Sequence, residues 1–300
     1  MTAAGSPALS TAARPTQGGR RLPLSWLGVV PFFAYVGVFL LLPTAIIFAG
    51  SLVAPNGGVD LSNFLGIDKP YMFKAFAASG VISLVSAVIG ASAGALLAYA
   101  VVTGNPRGVL RRSVMSAAGV IAQFGGVTLA FAFIATLGTT GFVYVFLVQH
   151  GIDIYQNGVW LYDQSGLTLI YLYFQIPLMV LVFIPALDGI RPQWREATES
   201  LGGNTWHYWR YVAGPLLFPS FLGCTLLLFA NAFSAYATAA ALITQGGVLV
   251  PLQIQALLTS ETGSSAPGLA KALALAMIVT VLVVTVLYSV LQRRTSQWLR

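Results

Sequence analysis

The residues able to do bond-making chemistry are few and poorly placed for it. The chain has one cysteine, Cys224, two histidines, His150 and His207, and three lysines, Lys69, Lys74 and Lys271. A phosphate-cradling loop, G-x-x-x-x-G-K-[ST], needs a lysine followed by a hydroxyl residue. Here the lysines stand in Asp-Lys-Pro, Phe-Lys-Ala and Ala-Lys-Ala, so nucleotide hydrolysis by that route is excluded. Both histidines lie outside the long apolar runs, which leaves a serine–histidine dyad without a base, and they fall on opposite sides of the alternating runs, too far apart to share a metal. His207, beside aromatic residues, reads as packing rather than a proton switch, and the lone Cys224 as a small packing residue. No catalytic, cofactor-binding or metal-ligating set emerges.

What remains is uncharged polarity inside apolar helices. Tyr171, Gln175 and Met179 share one helical face, as do Asn231, Ser234 and Thr238. Gln123 precedes Gly125-Gly126, where local unwinding would expose backbone groups, and Thr128 follows. Such amides and hydroxyls can hydrogen-bond a polar solute in passing, or bond helix to helix; the spacing allows both. Ser79, Ser83, Ser86, Gly90 and Gly94 form one smooth stripe, the pattern of a close-packing helix face.

The elements that carry these residues are apolar runs: Trp26–Ser51, Phe76–Val102, Ser113–Leu137, Leu167–Leu187, Pro215–Ile243 and Ala272–Leu291. None contains Asp, Glu, Lys or Arg, and each has about the 20 residues a helix needs to cross a hydrocarbon core. Hydrophobic residues make up 57% of the chain and charged residues 8%, with mean hydropathy +0.82. A soluble domain carries roughly 25% charged residues, so an all-α polytopic membrane protein with six transmembrane helices is predicted.

The net charge of +7 would suit a nucleic-acid binder, but its placement follows the membrane instead. Every arginine falls on one side if six helices alternate: Arg14, Arg20, Arg21; Arg107, Arg111, Arg112; Arg191, Arg195, Arg210; and Arg293, Arg294, Arg300. The lysines, with Asp60, Asp68, Asp153, Asp163 and Glu261, fall on the other. The positive-inside rule then puts both termini in the cytoplasm, with no nucleic-acid partner. Arg20-Arg21 does not begin a cleaved signal, because the following run is too long for one. Residues 1–22 are expected to be a disordered cytoplasmic tail, 23–292 a six-helix domain and 293–300 a cytoplasmic tail.

Two outer connections, Phe142–Gly166 and Thr244–Pro267, are poor in charge; the first is rich in aromatics that suit interfacial anchoring, and an outer partner would touch the same loops. Phe142–Gln149 reads as a short interfacial helix after a Gly138–Gly141 turn. The inner connection 188–215 is more ordered. Pro192 suits a first helical turn, a helix Pro192–Leu201 follows, and Gly202-Gly203 supplies a left-handed exit. Asn204 or Thr205 can cap a second short helix. Trp194, Ala197 and Leu201 make a narrow apolar face flanked by Glu196 and Glu199.

Within that connection, Glu196-Ala197-Thr198, three residues, Gly202, nine residues and Val212-Ala213-Gly214-Pro215 resemble the EAA loop of ABC importer permeases of type I. The family pattern is E-A-A, three residues, Gly, nine residues, I-x-L-P. Glu196, Ala197, Gly202 and Pro215 match in type and spacing, whereas Thr198 and Gly214 depart from it and Val212 is a mild change. The stretches Gly126–Gly141 and Asn231–Thr238 are more loosely similar to the polyamine, aminophosphonate and ferric-iron branch.

The resemblance implies a transmembrane permease subunit of an ATP-driven importer in a bacterial or archaeal cytoplasmic (inner) membrane. Trp194, Glu196, Ala197, Glu199, Leu201, Gly202 and Pro215 would belong to the coupling helices against an ATPase. The implied partners are two ATP-binding subunits, which hold the ATP and magnesium, a second permease, homologous or identical, and an extracytoplasmic solute-binding protein that delivers a small polar solute. Polyamine-like cargo is the first expectation, with aminophosphonate, ferric iron or sugar as alternatives. The translocation path would use Gln123, Thr128, Tyr171, Gln175, Asn231, Ser234 and Thr238. An ion-coupled secondary transporter and a scaffold subunit without transport activity are the competing readings.

Overall fold

A computed structural model describes residues 25–53, 58, 70–104, 108–156, 158–243, 249–259 and 267–296. The expected N-terminal tail, Arg107, residues 244–248 and 260–266 of the second outer connection, and the last four residues lie outside them. Among the described residues, six helical stretches are long and apolar enough to cross a membrane: Val29–Ser51, Pro70–Thr103, Gly126–Gln149, Gln164–Asp188, Thr205–Ser234 and Pro267–Val290. The chain is an all-α polytopic membrane protein.

It divides at Ile46–Ile47 into two units. The first crossing consists of α1 (Ser25–Val36), a π-helical turn Gly37–Leu41 and α2 (Leu42–Ser51). The π turn precedes Pro43, whose ring crowds the carbonyl four residues back and which has no N–H to donate. Widening the turn, so that Leu42 N–H bonds the Gly37 carbonyl, absorbs both effects.

The second unit is built around α3 (Pro70–Thr103), which starts six residues earlier than the sequence suggests and carries Lys74 within it, and α7 (Gln164–Asp188). These two helices make the most extensive contact among the described residues. The small-residue stripe of α3 is the reason: Ser79, Ser83, Ser86, Gly90 and Gly94 are all buried. A Cβ on Gly94 would lie 2.5 Å from Met179 Cβ and 2.7 Å from the Ile176 carbonyl oxygen, and one on Gly90 would lie 2.9 Å from Gln175 Oε1. Backbones approach this closely only where side chains are absent.

Around this pair lie α4 (Val109–Gln123), α5 (Gly126–Leu137), α6 (Phe142–Gln149) and a 3-10 turn Trp160–Tyr162. After α7 come α8 (Pro192–Ser200), α9 (Thr205–Tyr208), a π turn Trp209–Ala213, α10 (Gly214–Ser234), α11 (Ala237–Leu242), α12 (Val250–Thr259) and α13 (Pro267–Ser296). Two of the expected spans are broken, the first where Gly125-Gly126 suggested unwinding and the second without such a signal. The third, expected over Ser113–Leu137, divides at Phe124–Gly125, where Gly126 takes φ +72°. The fifth, expected over Pro215–Ile243, stops at Ser234 and resumes at Ala237. There the Tyr171 hydroxyl donates to the Ala235 carbonyl (3.0 Å), giving a partner to a group outside the helical ladder. At the end of α13 the helix continues through Arg293 and Arg294 to Ser296, four residues into the expected tail.

Candidate functional site

Proline places α8. Pro192 occupies its first turn, and Trp194 N–H bonds the Arg191 carbonyl (3.1 Å). The other end is closed by a Schellman motif. Gly203 N–H reaches the Thr198 carbonyl (2.9 Å) and Gly202 N–H the Glu199 carbonyl (3.0 Å), with Gly202 at φ +79°. Space around Gly202 is open, so the left-handed backbone alone demands glycine there. Gly203 is constrained differently: a Cβ would sit 2.7 Å from Thr198 Cγ2 and 2.9 Å from the Thr198 carbonyl oxygen.

Of the two cap candidates, Asn204 serves. Its Oδ1 accepts from His207 N–H (3.0 Å), and its own N–H donates to His207 Nδ1 (3.4 Å), a reciprocal capping box. His207 thus has a structural task that position alone did not reveal. The following π turn again precedes a proline: Gly214 N–H bonds the Trp209 carbonyl one residue before Pro215. In that turn Trp209 packs edge-on against Tyr99 of α3 (centroids 5.1 Å) and beside the buried Leu187 and Leu217. The loop is therefore a short capped helix joined through Trp209 to the α3–α7–α10 packing.

The surface of this device faces outward. Glu196, Ala197, Glu199, Gly202 and Pro215 are exposed, and Leu201 is 88% exposed. Trp194 is half-buried, so the exposed apolar strip is carried by Ala197 and Leu201. Glu199 Oε1 accepts from Arg195 Nε (3.0 Å), whereas the Glu196 carboxylate has no side-chain partner among the described residues. At the loop's start, Arg111 Nη2 and Asp188 Oδ2 are 2.6 Å apart. That pair fixes the beginning of α4 beside the end of α7, so two of the arginine-bearing connections lie at the same end of these helices.

The polar residues of the spans sort into two groups. Tyr171, Gln175 and Thr238 are buried, with Tyr171 beside a small cavity of about 10 Å³ that Ser79 and Ser83 also line. Gln175 Nε2 donates to Ser86 Oγ (3.2 Å), while its Oε1 is buried without a partner among the described residues. Gln123, Thr128, Asn231 and Ser234 are exposed. All four lie within a few residues of the place where the two helix breaks meet: a Cβ on Gly126 would be 3.6 Å from Ala237 Cβ, and α5 packs on α11. Cys224 is half-buried, its Sγ 3.7 Å from the Val182 carbonyl. No cluster of three His, Cys, Asp or Glu able to hold a metal exists among the described residues.

At the other end, the aromatic connection is packed rather than splayed. Tyr155 lies between Tyr144 (4.8 Å) and Trp160 (5.9 Å), and its hydroxyl donates to the Leu137 carbonyl. Burial, then the neighbouring Tyr162 and Tyr144, push the Tyr155 phenol above its ordinary pKa. Asp153 Oδ1 accepts from Tyr155 N–H (2.9 Å).

A family model described as "Binding-protein-dependent transport system inner membrane component" matches residues 100–297. The thiamine transport system permease protein ThiP of Escherichia coli (strain K12) is 29% identical over 77 residues, 26% of this chain and 14% of that protein's length. Among solved structures, a bacterial ABC transporter involved in the import of the acidic polysaccharide alginate superposes with TM-score 0.72 at 17% identity, covering 90% of this chain and 95% of that one. The MetNI methionine ABC transporter, in inward-facing conformations, gives 0.55 at 14% identity, covering 74% and 95%.

Proposed function

The chain belongs to the binding-protein-dependent transport system inner membrane components, the permeases of type I ABC importers, and from that premise we propose how this one works. It is a multi-pass inner-membrane subunit, and the permeases of its family work with ATPases rather than being ATPases themselves. Its inner connection, Asp188–Pro215, is the coupling element. Two ATP-binding subunits, holding ATP and magnesium, dock on the Ala197–Leu201 strip and move it. The stiff route from that strip through Gly202, the Asn204 cap and Trp209 then carries the displacement into α10 and α3. Both termini lie on the same, cytoplasmic, side as this loop, as the arginine distribution requires.

The solute arrives from an extracytoplasmic binding protein and passes the paired helix breaks, where Gln123, Thr128, Asn231 and Ser234 offer uncharged hydrogen-bonding groups. Tyr171, Gln175 and Thr238 join that path only in a conformation that separates α7 from its neighbours. A second permease, homologous or identical, supplies the other wall. The cargo is a small polar molecule, polyamine-like in the first instance, with aminophosphonate, ferric iron, a sugar or a thiamine-like cation as the set to screen. ATP moves the cycle only if the docked ATPases bind the two permease conformations with different affinity.

The observation that carries this reading is the exposed α8, closed at its C-terminus by a Schellman motif, with family-matching Glu196, Ala197, Gly202 and Pro215. Glu196→Lys reverses a charge that has no side-chain partner among the described residues, so folding is spared while docking is not. In vesicles containing the assembled transporter, Glu196→Lys is expected to keep ATP hydrolysis and lose solute uptake. Uptake that survives ATP depletion but stops when ion gradients collapse would instead establish a secondary transporter.

A further inference from the structure

Two adjoining hollows, each about 570 Å³, open on the flank of the bundle and share Trp209, Gly214 and Phe218. One runs along α3 between Ser92 and Tyr99, a length of about 10 Å at the helical rise, or some two-thirds of one hydrocarbon leaflet. Leu96, Tyr99, Phe218 and Phe221 line it. The other lies at the loop end, with Trp206 and Arg210 on its wall. Trp206 is 67% exposed and Leu96 70%. Arg210 stacks its guanidinium 5.8 Å from the Tyr211 ring and pairs with no carboxylate; the two ion pairs among the described residues involve Arg111 and Arg195.

We propose that this groove binds one anionic phospholipid, an acyl chain along Leu96, Phe218 and Phe221 and the phosphate on Arg210. An apolar trough that ends at an unpaired cation beside an interfacial tryptophan matches the division of a lipid into tail and charged head. A transmembrane helix of another subunit fits less well. The helix-facing stripe of this chain is made of Ser and Gly, whereas the groove presents bulky aromatic and leucine side chains, and a buried helix would leave Arg210 without a counter-charge. The bound lipid would lean on Trp209, the residue that joins the coupling loop to α3, so occupancy would stiffen that joint. The site does not depend on the assignment of the loop, because the groove and its cation stand whatever docks on α8.

The test is native mass spectrometry of the complete transporter, purified from membranes and exchanged through nanodiscs of phosphatidylglycerol or phosphatidylcholine. The wild-type chain is expected to retain phosphatidylglycerol in preference to phosphatidylcholine. Arg210→Gln should lower that retention about fivefold, the worth of one interfacial cation, while Arg210→Lys keeps most of it. Leu96→Trp, an exposed position where folding is not at risk, should block the trough and displace the lipid with Arg210 intact. Equal retention of the two lipids, or retention unchanged by both Arg210→Gln and Leu96→Trp, would overturn the proposal. So would a disulfide between Leu96→Cys and a cysteine on a second permease subunit, which would assign the groove to a protein helix.

Discussion

Replacing Gly202 tests the rigidity of the coupling loop at one torsion. Its φ of +79° lies in the left-handed region, while no atom is near enough to meet a Cβ. An added side chain therefore costs backbone strain and nothing else, about 1–2 kcal/mol for an L-residue, with the β-branched valine at the upper end. If the turn relaxes instead, the Gly202 and Gly203 N–H bonds to Glu199 and Thr198 are lost, at about 1 kcal/mol each. Either way Gly202→Val should lower the population of the closed turn by roughly ten- to thirtyfold, at about 1.4 kcal/mol per factor of ten. Gly202→Asn should be far milder, since Asn visits the left-handed region. The assay is the number of ATP molecules hydrolysed per solute moved in vesicles. The ratio should rise steeply for valine, moderately for alanine and least for asparagine. Gly203→Ala gives a contrast: its penalty is steric, and Thr198→Ala should relieve it only in part, because the Thr198 carbonyl oxygen remains 2.9 Å away. A valine variant coupled as well as the wild type, or asparagine as damaging as valine, would refute the backbone argument.

Two further substitutions separate packing from transport. Gln175→Met replaces a buried amide whose Oε1 has no partner among the described residues with an unbranched apolar chain, and Ser86 retains the Ser83 carbonyl as acceptor. Thermal stability in detergent should be unchanged or higher by about 1 kcal/mol, and a fall in uptake at unchanged stability would mark Gln175 as a path residue. Tyr171→Phe removes the hydroxyl from the Ala235 carbonyl. It should cost about 1–2 kcal/mol and speed hydrogen exchange around Ala235 and Tyr236 while leaving α3 unaffected.

The parts of the fold written as periodicity or as turn chemistry were readable in the sequence. Phe142–Gln149 forms a short helix after the Gly138–Gly141 turn, within the stretch Gly126–Gln149 that is long and apolar enough to cross a membrane. The serine–glycine stripe is buried against α7, and Gly202 exits α8 left-handed. Gly125-Gly126 signalled the first break. The second was not readable, because Ser-Ala-Tyr-Ala contains no breaker residue and the break is stabilised from a distance by Tyr171. Periodicity also could not say which helical face meets open space. Tyr171 and Gln175 share a face with Met179, and that face is taken by α3. Asn231 and Ser234 share one with Thr238, yet the intervening break lets Thr238 be buried while the other two stay exposed. Trp209 was one aromatic among several in the loop; its contact with Tyr99, more than a hundred residues away, is what makes it the joint.

The central claim is that α8 is where an ATP-hydrolysing subunit grips this chain. With Cys224 replaced by alanine, Ala197→Cys places a single exposed thiol on the docking strip. A short bifunctional crosslinker applied to membranes holding the complete transporter should join it to the nucleotide-binding subunit, with a yield that changes between nucleotide-free and ATP-bound states, and the joined complex should cease uptake. Capture of no nucleotide-hydrolysing subunit, in either state and with the thiol shown to react, would contradict the account.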